Sequence, residues 1–352
     1  MSPVARPVRS ASSRWPTGII GRRNRNDQAV PSTRPDRPAG VPARAGHDDL
    51  RPAADGLARL GQRRRHTGGR SEELLGTFIA ETNSRDQVVL ATKFTMPIDD
   101  SNPNLAGNGR KNMMAALEAS LRRLGTDYVD LYWLHMWDML TPVEEVMSTF
   151  DTMVRSGKVR AIGLSNTPAW YLAKAQLTAE HRGWERIAAL QLEYSLVQRA
   201  IEREHVPAAL DLGMGIVPWS PLAHGFLSGK YTRDDAGPSG EGRIDALRDL
   251  GFYRAPDEQA WTVLDAVREV AKEVDRSPAQ VALNWVTNRP GVSATLIGAR
   301  TLAQFDGNLA ALDFELSDEQ TARLTGLSDF DHGYPYSMFG YQAVSRDYTV
   351  SA

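Results

Sequence analysis

"YVDLYWLHMWDMLTPVEEVMSTFDTMVRSGKVRAIGLSN" (residues 128–166) decides how the rest of the chain is read. Two short apolar runs, 128–135 and 158–166, flank a stretch whose apolar residues recur at helical spacing. Runs of that length, rich in β-branched and aromatic residues, read as buried strands. Between them Thr141 is a natural N-cap, Pro142 takes the first helical position and Glu144 completes a capping box. Val143, Met147, Phe150 and Val154 predict the buried stripe, and Gly157 ends the helix. The unit is strand, helix, strand.

The same alternation runs outward in both directions. "DQVVLATKF" (86–94), "RIAALQLEY" (186–194), "GIVPWSPL" (215–222) and "SATLIGAR" (293–300) read as further strands. A helix is predicted over 110–124, with Met113 or Met114, Leu117, Leu121 and Leu124 on one stripe and Gly125 as the stop. Others are predicted near 168–180, 202–212, 301–311 and 317–327, with one more capped by Ser277-Pro278. "TGGRSEELLG" (67–76) reads as a turn feeding a well-capped helix, and 231–258 as a long polar loop. Six strands interleaved with helices argue a parallel sheet wrapped in helices. Polar residues recur where the strands end: Lys93, His135, Asn166, Gln191, Ser220 and Arg300. In a (β/α)8 TIM-type barrel those ends form the active-site rim. A doubly wound sheet also places ligands at strand ends, but it binds dinucleotides through a G-x-G-x-x-G turn, and none follows a strand here. The barrel is the expected fold.

Composition bounds the rest. With 352 residues the chain is long enough for one barrel-sized domain, and with no cysteine it has no disulfide, thiolate metal site or cysteine nucleophile. It has no run of 18 apolar residues, so no membrane partner is expected. Residues 1–66 stand apart, with 14 Arg, 5 Asp and neither Lys nor Glu; the remainder carries 27 basic and 38 acidic residues. Such a segment buries too little apolar area to offset the entropy of ordering it. Its Arg, Pro, Ala and Gly content fits codons of a GC-rich gene read out of frame, a reading that the nucleotide sequence settles. Three others stand beside it: a targeting peptide, a disordered tail, and a basic arm for nucleic acid. The last lacks stacking aromatics, so no nucleic-acid partner is expected. Within the segment, 48–61 has helical spacing, and "TGIIG" (17–21) is too short to be taken as a first strand. Three parts are expected: 1–66 aberrant or disordered, 67–330 the barrel, and 331–352 a C-terminal tail.

Taken together in this order, "GGRSEELLG", "LATKF", "LYWLHMWD", "GKVRAIGLSN", "LQLEYSL", "PWSPLAHGFLSGK" and "LIGARTLAQFDGNL" resemble the aldo-keto reductase family over roughly residues 67–330. The resemblance implies a cytoplasmic (β/α)8 barrel that uses NADPH to reduce an aldehyde or ketone, a small-molecule carbonyl substrate. It implies that a tyrosine gives the proton, assisted by a lysine paired with an aspartate, while a histidine orients the substrate oxygen. A phenol with a pKa of about 10 is too weak an acid near neutrality without a nearby cation. Carried over by motif, Lys93 is that lysine and His135 that histidine. Ser165, Asn166 and Gln191 would bind the nicotinamide carboxamide, and Trp219 would stack on its ring. Ser220, Leu222 and Lys230 lie in the segment that wraps the pyrophosphate. Gly298 would let the backbone approach, Arg300 suits the 2′-phosphate of NADP, and Gln304 and Asn308 would face the adenine. Gly307 stands where relatives commonly carry an acid.

The remaining two catalytic positions depart from the pattern. Counted back from Ser71, the tyrosine position falls on His66 and the aspartate position on Gly61, and no tyrosine precedes Tyr128. Beside Lys93, like-charge repulsion would hold His66 mostly neutral at pH 7. "GQRRRH" cannot serve as a buried barrel strand, because three adjacent arginines there would lack partners. Two of the eight strands are therefore missing, and the edges of "VVLATKF" and "SATLIGA" are expected to be exposed. The implied activity is a carbonyl reductase impaired by that loss. A non-catalytic NADP-binding protein is the alternative, with a tail-driven interaction protein behind both.

Overall fold

The structure, a computed structural model, describes residues 17–21, 68–97, 102–234, 237–239 and 255–338. All six expected strands form: β2 (Ala91–Phe94), β3 (Val129–Leu134), β4 (Val159–Ser165), β5 (Ile187–Glu193), β6 (Gly215–Trp219) and β9 (Ala294–Gly298). Strands β2 to β6 make one parallel sheet in chain order. Beyond β6, the approach to β9 continues that direction through a parallel bridge between Ile216 and Val292. There the Ile216 N–H donates to Gly291 O at 2.8 Å and the Ser293 N–H to Ile216 O at 2.9 Å. The strand order never reverses, as it does in a doubly wound sheet. This is an α/β fold with a parallel sheet, consistent with a TIM-type barrel.

Two expectations about the edges need correction. "TGIIG" does form a strand, β1 (Thr17–Gly21), and it pairs antiparallel with β9 from Thr17 opposite Gly298 to Gly21 opposite Ala294. The β9 edge is therefore covered, by a strand running opposite to any barrel neighbour. On β2 the outer edge has no strand partner among the described residues. The expected helix at 48–61, along with Gly61 and His66, lies outside the described residues, as does 339–352. A short antiparallel pair, β7 (Thr232–Asp234) with β8 (Gly237–Ser239), occupies part of the expected polar loop.

Both faces of the parallel sheet are buried, which is why its strands read as continuous apolar runs rather than alternating ones. On one face Phe94, Tyr132, Leu134, Ile162, Leu164, Leu190 and Ile216 join the helices in the main core. On the other, Ala91, Leu131, Trp133, Ala189 and Val217 form a separate, smaller core. Gly163 makes room for it: a Cβ there would lie 2.3 Å from Trp133 Cζ3 and 3.0 Å from Ala189 O. Gly163→Ala is expected to lower stability by about 1–3 kcal/mol through overpacking, read as a lower urea midpoint. An unchanged midpoint would mean that the Trp133 ring swings aside.

The helices follow their stripes closely. Helix α2 (Arg110–Leu124) buries Met113, Leu117, Leu121 and Leu124 and ends on Gly125, at φ 64. Helices α4 (Ala169–Arg182), α5 (His205–Asp211), α7 (Pro278–Thr287), α8 (Leu302–Leu309) and α9 (Asp318–Leu327) stand where expected, and Ser277 and Ser317 each close a capping box with a glutamine. Helix α3 (Val143–Arg155) differs at its start. Pro142 is its N-cap, no side chain caps it, and Val154 is only half-buried, with Val146 and Met153 buried instead. The Thr141 hydroxyl donates to Asp138 at 2.6 Å, and Glu144 pairs with Lys174 at 2.9 Å, so neither is left to form a capping box.

Helix α1 (Arg70–Thr82) also lacks a side-chain cap; Gly69 precedes it in the left-handed region at φ 89. What its motif supplies is packing. A Cβ at Gly76 would meet Leu124 O at 2.6 Å, and Glu72 is buried against Thr92 and Arg123. Helix α6 (Glu258–Glu273) was not anticipated: Asp257 caps it, accepting from the Ala260 N–H at 2.9 Å, and Trp261, Leu264, Val267 and Ala271 are buried. Among the described residues no helix is long and apolar enough to cross a membrane.

Candidate active site

Strand register brings the strand-end residues together. Lys93 pairs with Trp133, Ser165 with Gln191 and Glu193 with Trp219. Lys93, Ser165, Gln191 and Trp219 each lie two residues beyond Ala91, Gly163, Ala189 and Val217, so they share the face of the smaller core. Backbone strain collects at the same end. Thr95, Asn166 and Ser220 follow β2, β4 and β6 directly and hold φ of 95, 49 and 54. For a β-branched residue such as Thr95 this region is a true outlier, and strain of this kind clusters at functional sites.

Asn166 is the hub. Its Nδ2 donates to His135 O at 2.9 Å and to Ser165 Oγ at 3.0 Å, while its Oδ1 accepts from Trp219 Nε1 at 3.1 Å. Both donors are spent within the protein, so Asn166 orients three neighbours and has little left to offer a ligand. Gln191 is the reverse case: it is 3% exposed, and its Oε1 has no hydrogen-bond partner among the described residues. A buried acceptor without a donor costs about 1–3 kcal/mol unless something supplies one. The amide N–H of a nicotinamide carboxamide is a donor of the right kind, so these residues fit the cofactor that the resemblance implies.

His135 is half-buried and held on both sides of its backbone. Its N–H donates to Thr95 Oγ1 at 3.2 Å, and its carbonyl accepts from Asn166. Thr95 Oγ1 in turn donates to Asn108 Oδ1 at 2.7 Å, and Asn108 Nδ2 donates to Met136 O at 3.0 Å. Asp138 anchors this frame, accepting from the N–H groups of Asn108, Leu140 and Thr141 and from the Thr141 hydroxyl. Partial burial pushes the Asp138 carboxyl up, but these four donors outweigh it and hold the group below its ordinary value.

The pyrophosphate segment is less uniform than expected. Ser220 Oγ accepts from the His224 N–H at 2.9 Å and lies 3.2 Å from His224 Nδ1, whose ring faces Glu193 at 3.5 Å. Leu222 packs with Leu283, Ile297 and Ala311. Lys230 is exposed and sits 5.0 Å over the Tyr231 ring. Ala223, His224 and Gly225 all have positive φ, and their N–H groups are spent within the turn, donating to Ser220 O, Ser220 Oγ and Leu222 O.

A sequence profile of the aldo/keto reductase family matches residues 67–329. The chain belongs to the aldo/keto reductase family. It is 40% identical over 255 residues to the uncharacterized oxidoreductase YrpG of Bacillus subtilis, an alignment covering 71% of this chain and 75% of that one. Norsolorinic acid reductase stcV of Emericella nidulans is 33% identical over 289 residues, covering 80% and 71%. Aryl-alcohol dehydrogenase (NADP(+)) of Phanerodontia chrysosporium is 32% identical over 279 residues, covering 77% and 72%. The chain is an oxidoreductase by family, with NADP-dependent relatives.

The chain carries its last expected site segment at the end of β9 and along α8. Arg300 and Gln304 are exposed, the Arg300 N–H donates to Gln304 Oε1 at 2.8 Å, and Thr301 caps the helix. Asn308 is buried and its Nδ2 reaches Gly298 O at 3.4 Å, so it braces the β9 end as well as facing that turn. Thr95, Asn108, Asp138, Glu193 and His224 were missed by sequence reasoning. Asp138 within "LYWLHMWD", Glu193 within "LQLEYSL" and His224 within "PWSPLAHGFLSGK" each lay in a motif, whereas Thr95 and Asn108 lay in none. Nothing local in the sequence signals a threonine at φ 95.

Proposed function

We propose that this reductase binds NADPH at the strand ends and accepts an aldehyde or ketone beside His135, with turnover impaired for want of a phenolic acid. The (β/α)8 reading of the fold is part of the proposal, supported by the unreversed order of parallel strands and their apolar inner face. The single observation carrying the cofactor assignment is the buried, unpartnered Gln191 Oε1 beside Ser165 and the fixed Trp219 indole. Gln191 and Ser165 would hold the carboxamide, Trp219 the ring, and Ser220 and Lys230 the pyrophosphate. Gly298, Arg300, Gln304 and Asn308 would hold the adenosine 2′-phosphate end. A bound reduced nicotinamide supplies hydride; the protein's part is to place the carbonyl and give its oxygen a proton. His135 is placed for the first task and Lys93 for charge support in the second.

The donor is the weak point. Among the described tyrosines, Tyr132 lies on the helix-side face, its hydroxyl directed at Met113 O and its pKa pushed well up by burial and then by Glu72. The Tyr194 hydroxyl already donates its hydrogen bond to Glu202, and Tyr128 precedes β3, at the far end of the sheet. General-acid assistance is worth roughly 10²–10⁴-fold, and turnover is expected to fall short by that factor. Titrating the full chain with NADPH should quench tryptophan fluorescence saturably, while NADPH consumption with 3,4-dimethoxybenzaldehyde stays far below the roughly 1–10³ per second of ordinary enzymes. Absence of quenching would overturn the cofactor site, and ordinary turnover would overturn the impairment.

A further inference from the structure

Ser220, His224 and Glu193 stand in line across two neighbouring strand ends. Glu193 ends β5, Ser220 follows β6, and His224 lies in the turn just beyond. Ser220 Oγ is 3.2 Å from His224 Nδ1, and His224 Nε2 is 3.5 Å from Glu193 Oε1. A carboxylate can only accept, so it holds the proton of the neutral imidazole on Nε2 and leaves Nδ1 as an acceptor. The Ser220 hydroxyl accepts from the His224 N–H at 2.9 Å, which leaves its own proton to donate to Nδ1. Nucleophile, base and orienting acid therefore occur in the order that nucleophilic catalysis needs. The two ring nitrogens take each other's part relative to a serine protease, which leaves the three roles unchanged.

Backbone and ring geometry hold this line in place. Ser220, Ala223 and His224 have φ of 54, 47 and 57, a region that costs an ordinary residue about 1–2 kcal/mol. A serine turned this way directly after a strand lifts its hydroxyl clear of the sheet end, as the strained turns that carry hydrolase nucleophiles do. Trp219 lies beside the imidazole, 6.2 Å between ring centroids at 50°, and its own N–H is fixed on Asn166. Ser220, His224 and Glu193 are each half-buried, so the hydroxyl is not sealed from solvent. The weak point is the oxyanion. The N–H groups of 223–225 and Trp219 Nε1 are already bonded within the protein, and lack of one oxyanion donor costs about 10²–10³-fold. Esters whose alcohol leaves as a stable aryloxide compensate for that loss.

We propose that Ser220 is an activated nucleophile that hydrolyses activated aryl esters, with His224 as its general base and Glu193 as the residue that positions the imidazole. Ser220 Oγ bonds to the ester carbonyl carbon while its proton passes to His224 Nδ1. The bond to the aryl oxygen breaks, the aryloxide departs with the electron pair, and His224 returns its proton to solvent. Water then attacks acyl-Ser220, giving a proton to His224, which hands it back to Ser220 Oγ as the carboxylic acid leaves. No nicotinamide takes part, so this activity does not rest on the reductase reading.

The full chain, without NADPH, is given p-nitrophenyl acetate and the release of p-nitrophenolate is followed. A second sample takes phenylmethanesulfonyl fluoride, whose sulfonyl group would pass to Ser220 Oγ as fluoride leaves, and peptide mass spectrometry places the label. Release should continue well past a stoichiometric amount, and the label should sit on Ser220 and stop it. Ser220→Gly, which also relieves the positive φ, should lose both. His224→Asn keeps the hydroxyl and tolerates the left-handed backbone, and it should slow release about 100-fold. Glu193→Gln should lower kcat about tenfold with KM unchanged, because it acts on the base and not on the ester. Urea midpoints near the parent's show that each variant folds. A parent chain whose release stops at a stoichiometric amount overturns the proposal, as does a label on another residue. Release that survives Ser220→Gly or His224→Asn overturns it too, and parental kcat in Glu193→Gln removes the acid from the line.

Discussion

Arg199→Ala is expected to remove about 2–3 kcal/mol of stability, because it strands a half-buried carboxylate. Arg199 is 6% exposed. Its Nε and Nη2 donate to Glu202 at 2.8 and 2.7 Å, a bidentate pair, and Nη1 donates to Thr325 O at 2.6 Å and Ser328 Oγ at 2.9 Å. Tyr194 completes the set by donating to Glu202 at 2.6 Å. One guanidinium thus joins the end of β5 to the C-terminal end of α9. Burial alone pushes the Glu202 carboxyl up, but Arg199 and then Tyr194 overcome this and hold it below its ordinary value. A lowered carboxylate contributes stability that is complete above its unfolded pKa, about 4.3, and is lost as pH falls through the folded value.

The variant should behave in the opposite way. Without its cation, the half-buried Glu202 carboxyl is raised by desolvation, and the folded state takes up a proton that the unfolded state at the same pH does not. The deficit relative to the parent should therefore shrink between pH 7 and about 4.5. Urea unfolding at both values measures it. Arg199→Met combined with Glu202→Leu should recover much of the loss, since an apolar pair of similar volume needs no partner. A single-variant loss below about 1 kcal/mol, or a deficit independent of pH, would show that water reaches the pair.

What the sequence made legible follows the range of the forces involved. Helix α2 was readable to the residue because its stripe and Gly125 act within a few residues of each other. Sheet-face membership of Lys93, Ser165, Gln191 and Trp219 was implicit in strand alternation, since period two puts the ends of parallel strands on one side. The start of α3 differs from its sequence pattern because the Thr141 hydroxyl has a nearer acceptor, the Asp138 carboxylate, than the helix N-terminus. Helix α6 was overlooked although Trp261, Leu264 and Val267 keep helical spacing and Asp257 caps them. Its signal was local and present. Asn166 was legible as a site residue but not as a hub, because its partners His135 and Trp219 lie 31 and 53 residues away. The antiparallel seat of β1 on β9 could not be read either; five residues with a glycine at each second and last position give no register.

That hub carries the largest functional prediction. Asn166→Ala should weaken NADPH binding about 10–100-fold, roughly 1.4–2.7 kcal/mol, while leaving the chain folded. Three hydrogen bonds disappear together, each worth about 0.5–1.5 kcal/mol. Trp219 loses the acceptor that fixes its indole, and the His135 carbonyl and Ser165 hydroxyl lose their donor. All three then sample orientations that binding must restrict again, a cost that appears in affinity more than in folding. Backbone strain confuses the simple comparison, because Asn166 sits at φ 49, where alanine costs about 1–2 kcal/mol more than glycine. Asn166→Gly separates the effects. Both variants lack the side chain, so their NADPH dissociation constants should agree within about twofold, while their urea midpoints differ by the strain. Asn166→Asp should bind no better than alanine, since a carboxylate still accepts from Trp219 but can only repel the His135 carbonyl. If the glycine variant binds NADPH as well as the parent, strain rather than the hydrogen-bond hub governs this corner of the site. If all three bind normally, Asn166 plays no part in holding the cofactor.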